Sequence, residues 1–321
     1  MFIIFSLFLL TNFSNAIKII DRDTDIDISI NRTCIGEEIP KNTGCIAINN
    51  NCGIRIVDGI FTNEECNLLE NIAIKGFSVR ENAPGPSILD INTGYIRDSS
   101  NGLENLYRSV SLGIRKEIFH GDDYAHYFHV INKLKETIEK TFGIGNNKLK
   151  FTAPTFFTRL NSGLDINNNN DNDNDTKEKA WEPAEIHDEY WHSHIDRENT
   201  EHYHYSGLLY LSTYKQNFTG GRLGFQDAQT DGAPAHTIVE PRMGRVALFT
   251  SGKENPHYVE RLTKGQRLVL AFWFTCDTDR EFQTYLDGRE HVAFSKKVGD
   301  QLAQQARQQQ QQQQQKQSNE L

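Results

Sequence analysis

Pro256-His257-Tyr258-Val259-Glu260-Arg261-Leu262-Thr263-Lys264-Gly265-Gln266-Arg267-Leu268-Val269-Leu270-Ala271-Phe272-Trp273-Phe274 is the stretch on which the fold turns. Its polar half contains Gly265 and ends at Arg267; its apolar half, 268–274, has the length and bulk of a strand. Alternation puts Arg267 on the same face as Val269 and Ala271, where small side chains leave room for its charge. Working upstream, the runs 207–211 and 245–249 also read as strands, set apart by Gly, Pro or polar turns. From Leu149 the apolar period is two, with Leu149, Phe151, Ala153, Thr155 and Phe157 on one face.

Before Leu149 the period is different. Residues 54–61 read as a strand, and Thr62 followed by Glu64 and Glu65 opens a helix with Leu68, Leu69 and Ile72 on one side. Leu103, Tyr107, Val110, Ile114 and Ile118 recur at three- and four-residue steps and predict a second helix. Tyr127, Ile131, Leu134, Ile138 and Phe142 predict a third. Helices first and strands afterwards give an α+β chain whose second part closes as a sandwich or jelly roll. The expected organisation is a folded unit over 54–290, with helical support at 54–145 and the strands at 147–280. An Asn/Asp-rich stretch at 167–175 has no apolar residue to bury and is a solvated loop; a Gln-rich tail fills 291–321.

Charge and cysteines narrow the class. Of 321 residues, 34 are Lys or Arg and 43 Asp or Glu, a net −9, and no stretch gathers basic residues into a phosphate-binding patch. Nucleic acid is excluded as a partner. The apolar run 2–10 is about half of the ~20 residues that span a bilayer, so no transmembrane segment is expected. That run followed by Ser14-Asn15-Ala16 reads as a cleaved signal peptide over 1–16, which places the protein in the secretory pathway, in the endoplasmic reticulum lumen or outside the cell. Cys34, Cys45, Cys52 and Cys66 cluster in and just beyond a segment at 17–53; they are expected to form disulfides, three pairings being open, with Cys276 left over. Asn31, Asn174 and Asn217 head glycosylation triplets, and the last two residues of Ser318-Asn319-Glu320-Leu321 match a retrieval signal.

Histidine carries the chemistry: seven of the eleven lie between His187 and His257. On a strand, His194 and Asp196 would present an imidazole and a carboxylate to one cation, with Ile195 packing behind. Two histidines and a carboxylate on one side of an ion, with the other positions open, is the non-haem Fe(II) arrangement. His120-Gly121-Asp122 and His187-Asp188-Glu189 compete for the first position, and His236 with Arg245 for the distal one. His192, His202 and His204 are expected to be bystanders, able at most to form a surface metal-binding smear.

His194-x-Asp196, then His257, then Arg267 on a strand containing Trp273, resembles the 2-oxoglutarate- and Fe(II)-dependent dioxygenases of the prolyl 4-hydroxylase type. Ser206-Gly207-Leu208-Leu209-Tyr210-Leu211-Ser212 before Gly220-Gly221, and Pro241-Arg242-Met243-Gly244 before Val246, resemble the same family, so the likeness covers 54–280. It implies a double-stranded β-helix (jelly roll) core with N-terminal supporting helices, Fe(II) held by His194, Asp196 and His257, and 2-oxoglutarate bound by Arg267 and Tyr210. It further implies O2 and a protein or peptide as substrates, decarboxylation of 2-oxoglutarate to succinate, hydroxylation of a side chain with prolyl first, and ascorbate as reductant. Family members often carry Tyr three residues before the first ligand; here that position is Trp191 and the tyrosine is Tyr190. A lumenal or secreted jelly-roll binding module without turnover is the alternative, and the oligomeric state is open.

Overall fold

The computed structural model describes residues 17–35, 45, 51–152, 154–167, 181–183 and 189–282. The expected signal segment, most of the Asn/Asp-rich loop and the Gln-rich tail lie outside them.

The strand predicted from the opening stretch is Leu262–Thr275, and it organises the larger sheet. It pairs antiparallel with Phe156–Asn161 on one side and Tyr205–Tyr210 on the other. Beyond Tyr205–Tyr210 come Val246–Thr250, Cys52–Val57 and Asp27–Arg32 in turn; beyond Phe156–Asn161 come Gly85–Asp90, Tyr95–Arg97 and Glu104–Asn105. A smaller sheet runs Lys18–Ile20, Thr237–Val239, Leu223–Phe225, His257–Val259. Alternation along the central strands separates two cores. Tyr210, Ala247, Phe249 and Val269 face Leu223, Phe225 and Val239 of the smaller sheet. Leu209, Val246, Leu248, Leu270 and Phe272 face Leu69, Ile72, Ile131, Leu134 and Ile138 of the helices. Two facing sheets with helices outside the larger one make the expected α+β jelly roll; each such side chain contributes about 1.5–3 kcal/mol on burial.

The helices start where their caps are. Thr62 accepts from Glu65 N and Glu65 answers through Thr62 N, a capping box that opens Asn63–Phe77. Gly121–Phe142 ends at Gly143, whose φ of 65° the absent Cβ permits. None of the helices among the described residues is long and apolar enough to cross a membrane.

Several expectations are corrected. The helix predicted across Leu103 to Ile118 is confined to Leu106–Ser111. Asn105, paired with Tyr95 at the sheet edge, caps it through Arg108 N, and Leu103 and Ile114 are 64% and 71% exposed. Tertiary pairing there overrides a chance helical period. Leu68 is likewise exposed, while Leu69 and Ile72 are buried. The strand expected from Leu149 is split into Lys150–Phe151 and Phe156–Asn161 around Pro154, which has no N–H for a ladder. The helical support also supplies sheet-edge strands, because the large sheet continues past Phe156–Asn161.

The disulfides differ too. Cys34 pairs with Cys52 and Cys45 with Cys276, which leaves Cys66 as a buried thiol. Cys66 falls on the core face of its helix, where burial pushes its pKa up to about 11. Cys45 and Cys276 meet across 231 positions, a contact that clustering in sequence does not report.

Candidate metal centre

His257 opens the strand His257–Val259, and its backbone forms a reciprocal bridge with His194. His194 N donates to His257 O at 2.9 Å and His257 N to His194 O at 3.0 Å. The bridge brings the two rings within 4.3 Å, centroid to centroid. Asp196 does not continue a strand. It begins the single turn Asp196–Asn199, which is anchored as Arg197 N donates to Ser251 O. The turn still delivers the carboxylate to the imidazoles: Asp196 Oδ1 lies 3.6 Å from His194 Nε2 and 3.8 Å from His257 Nε2. One ligand atom from each of the three residues falls within 4.8 Å of the others, a spacing one cation can bridge.

Protons are arranged to match. His194 Nδ1 faces His192 O at 3.0 Å and His257 Nδ1 faces Asn255 O at 3.1 Å. A carbonyl only accepts, so each Nδ1 carries the proton and each Nε2 offers its lone pair to the shared space. Burial, with His194 facing it, pushes the His257 imidazole down to about 4, keeping it a neutral donor. Burial would raise the Asp196 carboxyl, but the neighbouring His257 and His194 and the hydrogen bonds from Ser206 and Trp273 together hold it below its ordinary value. Trp273 Nε1 donates to Asp196 Oδ2 at 3.0 Å, leaving Oδ1 for an ion.

Arg267 sits on the same face of its strand as Val269, Ala271 and Trp273, and with His194, Asp196 and His257 they line a cavity of about 500 Å³. It is 3% exposed, yet its Nε and Nη2 have no hydrogen-bond partner, and no carboxylate among the described residues pairs with it. The guanidinium lies 5.4 Å from the Tyr210 ring centroid, and the buried Tyr210 hydroxyl is also without a partner. Gly221 makes room for the arginine stem: a Cβ there, at φ 64°, would stand 3.1 Å from Arg267 Cδ. Tyr210 itself belongs to the core between the sheets and is not part of the cavity wall. Buried donors left unpaired are costly, and an anion entering from the cavity would satisfy them. The residues present therefore fit a divalent cation beside a carboxylate-bearing ligand.

Arg245 provides the contrast. It is fully buried and saturated: Nε and Nη2 grip Asp58 at 2.9 and 2.8 Å, and Asp21 O, Glu240 O and Thr24 O take the rest. The rival pair of His236 and Arg245 is thus structural. His120 caps the helix Gly121–Phe142 and stands exposed, and His187 lies outside the described residues. His192 is held between Glu189 and Asp231. His204 is buried and no surface bystander: its Nδ1 accepts from Cys276 N at 2.8 Å, tying the end of the Arg267 strand.

The sequence reading left Tyr190 unplaced and missed the Trp273 bond to Asp196. Tyr190 lines the cavity, its phenol oxygen accepting Leu262 N–H at 2.9 Å. Strand alternation from Arg267 to Trp273 is the signal that could have assigned the indole to the site. Tyr203 stacks on that indole, 5.0 Å between centroids and 15° between planes.

Residues 183–275 match the family model described as the 2OG-Fe(II) oxygenase superfamily. The chain is 37% identical over 228 residues to 2-oxoglutarate and iron-dependent oxygenase domain-containing protein 3 of Homo sapiens, covering 71% of this chain and 64% of that protein. It thus spans somewhat less than two thirds of the curated relatives it matches first. It is 39% identical over 93 residues to Prolyl 3-hydroxylase 3 of Homo sapiens, 29% of this chain and 12% of that protein. Among solved structures it is similar to a 2OG-Fe(II) oxygenase family oxidoreductase from Burkholderia pseudomallei, with 13% identity, a TM-score of 0.41 and coverage of 71% of this chain and 88% of that one.

Proposed function

Because the chain carries a 2OG-Fe(II) oxygenase domain, we propose that it is an Fe(II)- and 2-oxoglutarate-dependent dioxygenase that hydroxylates a protein side chain, prolyl first, in the secretory pathway. The observation that carries this is the buried Arg267 guanidinium, whose Nε and Nη2 have no hydrogen-bond partner, in the same cavity as His194, Asp196 and His257. A binding module that needs only its fold has no use for a buried cation kept free of counter-charge.

His194 Nε2, Asp196 Oδ1 and His257 Nε2 would hold Fe(II) on one side and leave the opposite positions open. Arg267 would take the far carboxylate of 2-oxoglutarate, the planar fork matching its two oxygens, with Tyr210 backing the guanidinium from the core rather than touching the ligand. When bound, Fe(II) with 2-oxoglutarate and O2 supplies the oxidation of a substrate C–H bond, 2-oxoglutarate leaving as succinate and carbon dioxide. Ascorbate as a reductant is carried over from the family likeness. The chain's own part is orientation and exclusion of water: Trp273 fixes Asp196, and Val269, Ala271 and Phe249 give the cavity an apolar wall.

A cavity of about 500 Å³ admits a side chain. Phe156 and Trp273, 5.3 Å between centroids and tilted by 52°, form an aromatic corner of the cavity against which an apolar side chain can pack. The prolyl choice is supported by the likeness to Prolyl 3-hydroxylase 3. The disulfides Cys34–Cys52 and Cys45–Cys276, and the 1–16 segment, support an oxidising compartment.

The test is anaerobic addition of Fe(II) and then 2-oxoglutarate to the purified chain. A visible metal-to-ligand charge-transfer band, lost in Asp196→Ala and needing more 2-oxoglutarate in Arg267→Ala, supports the reading. No band in folded parent protein overturns it in favour of a binding module.

A further inference from the structure

Tyr190 lies four residues before His194, in the segment that leads into the metal ligands, and its side chain lines the same cavity as Arg267. Its ring packs with Leu160, Tyr214, Phe218 and Leu262. Its phenol oxygen accepts the N–H of Leu262, the first residue of the strand that carries Arg267. That bond uses a lone pair of the oxygen, so the phenol's own proton is left over, and it meets no acceptor among the described residues. Burial raises the Tyr190 pKa, so the proton stays on at neutral pH. Tyr190 and Arg267 line the same cavity.

We propose that Tyr190 is a positioning residue for the cosubstrate: anchored by Leu262 N–H, it donates its phenol proton to the carboxylate held by Arg267. This rests on the dioxygenase reading above and deepens it. Tyr210 presses against the guanidinium from within the core, whereas Tyr190 meets the ligand from the cavity wall. The same hydrogen bond ties the segment bearing His194 to the strand bearing Arg267, so the two ends of the ligand site keep a fixed separation.

The experiment is equilibrium binding, read from the anaerobic Fe(II) charge-transfer band, of two 2-oxo acids. 2-Oxoglutarate carries the distal carboxylate; 2-oxobutyrate keeps the keto-acid end and lacks it. Tyr190→Phe, which removes only the hydroxyl, is expected to weaken 2-oxoglutarate about tenfold, as for a hydrogen bond to a charged group, and to leave 2-oxobutyrate unchanged. In an Arg267→Met background the same substitution is expected to change neither. Equal weakening of both acids, or no weakening of 2-oxoglutarate, overturns the proposal and leaves Tyr190 as a packing residue. Absence of a band with either acid in the parent is a different failure, that of the dioxygenase reading itself.

Discussion

Trp273 and Asp196, 77 positions apart, share a hydrogen bond from indole Nε1 to Oδ2 at 3.0 Å, and Tyr203 stacks on the same indole. The carboxylate that opens a one-turn helix is thereby aimed by the strand that also carries Arg267. One strand thus carries Arg267 and also holds one of the candidate metal ligands in place, so disturbing Trp273 can be read at both ends of the cavity.

Trp273→Phe keeps an aromatic against Tyr203 and deletes the donor. Fe(II) affinity is expected to fall about tenfold, the usual effect of losing a partner behind a metal ligand. Titration with Fe(II) under anaerobic conditions measures it, and unchanged affinity would show that the bond does not orient Asp196.

The two buried arginines are expected to respond oppositely. Arg267→Met removes donors that nothing satisfies, so the protein without cosubstrate melts at a higher temperature, while 2-oxoglutarate affinity drops at least about thirtyfold. Arg245→Met strands the Asp58 carboxylate and costs about 3–5 kcal/mol of stability. Thermal unfolding of both variants checks the pair; destabilisation by Arg267→Met would mean that its donors are satisfied in solution.

Glu65 gives a pH test. Burial would raise its carboxyl, but bonds from Lys133, Thr62 N and His129 outweigh that and hold it down at about 2, against an ordinary 4.5. A folded-state pKa below the unfolded one stabilises above the unfolded value and loses that contribution as pH falls through the folded value. The melting-temperature gap between parent and Glu65→Gln should therefore be full above pH 4.5 and close towards pH 2. A gap independent of pH contradicts the assignment.

Non-reducing peptide mapping should recover Cys34 with Cys52 and Cys45 with Cys276. Cys66 should alkylate only after unfolding, since its thiol is buried and held protonated. Cys276→Ser is expected to cost about 2–4 kcal/mol, whereas a thiol-specific reagent that labels native Cys66 would contradict its placement.

Much of the molecule was legible in its residues. Thr62 and Glu65 announce a helix start because a cap is a local bond, and 268–274 announces a strand because alternation is local too. His194, Asp196, His257 and Arg267 were legible as a set because their residue types and spacing match a chemical requirement. Leu103 to Ile118 misled because a helical period also arises by chance where sheet pairing, invisible locally, takes the chain.

By itself the sequence determined the kinds of groups available and the local elements that carry them: two imidazoles, a carboxylate and an arginine on strands and their connections. Only the tertiary structure decided that Asp196 arrives on a helical turn, that Cys45 finds Cys276, that Arg245 is saturated while Nε and Nη2 of Arg267 are left open, and that Tyr190 lines the same cavity as Arg267. The reason is physical. Local bonds depend on neighbours in the chain, whereas desolvation and the pairing of buried charge depend on which distant residues share one interior.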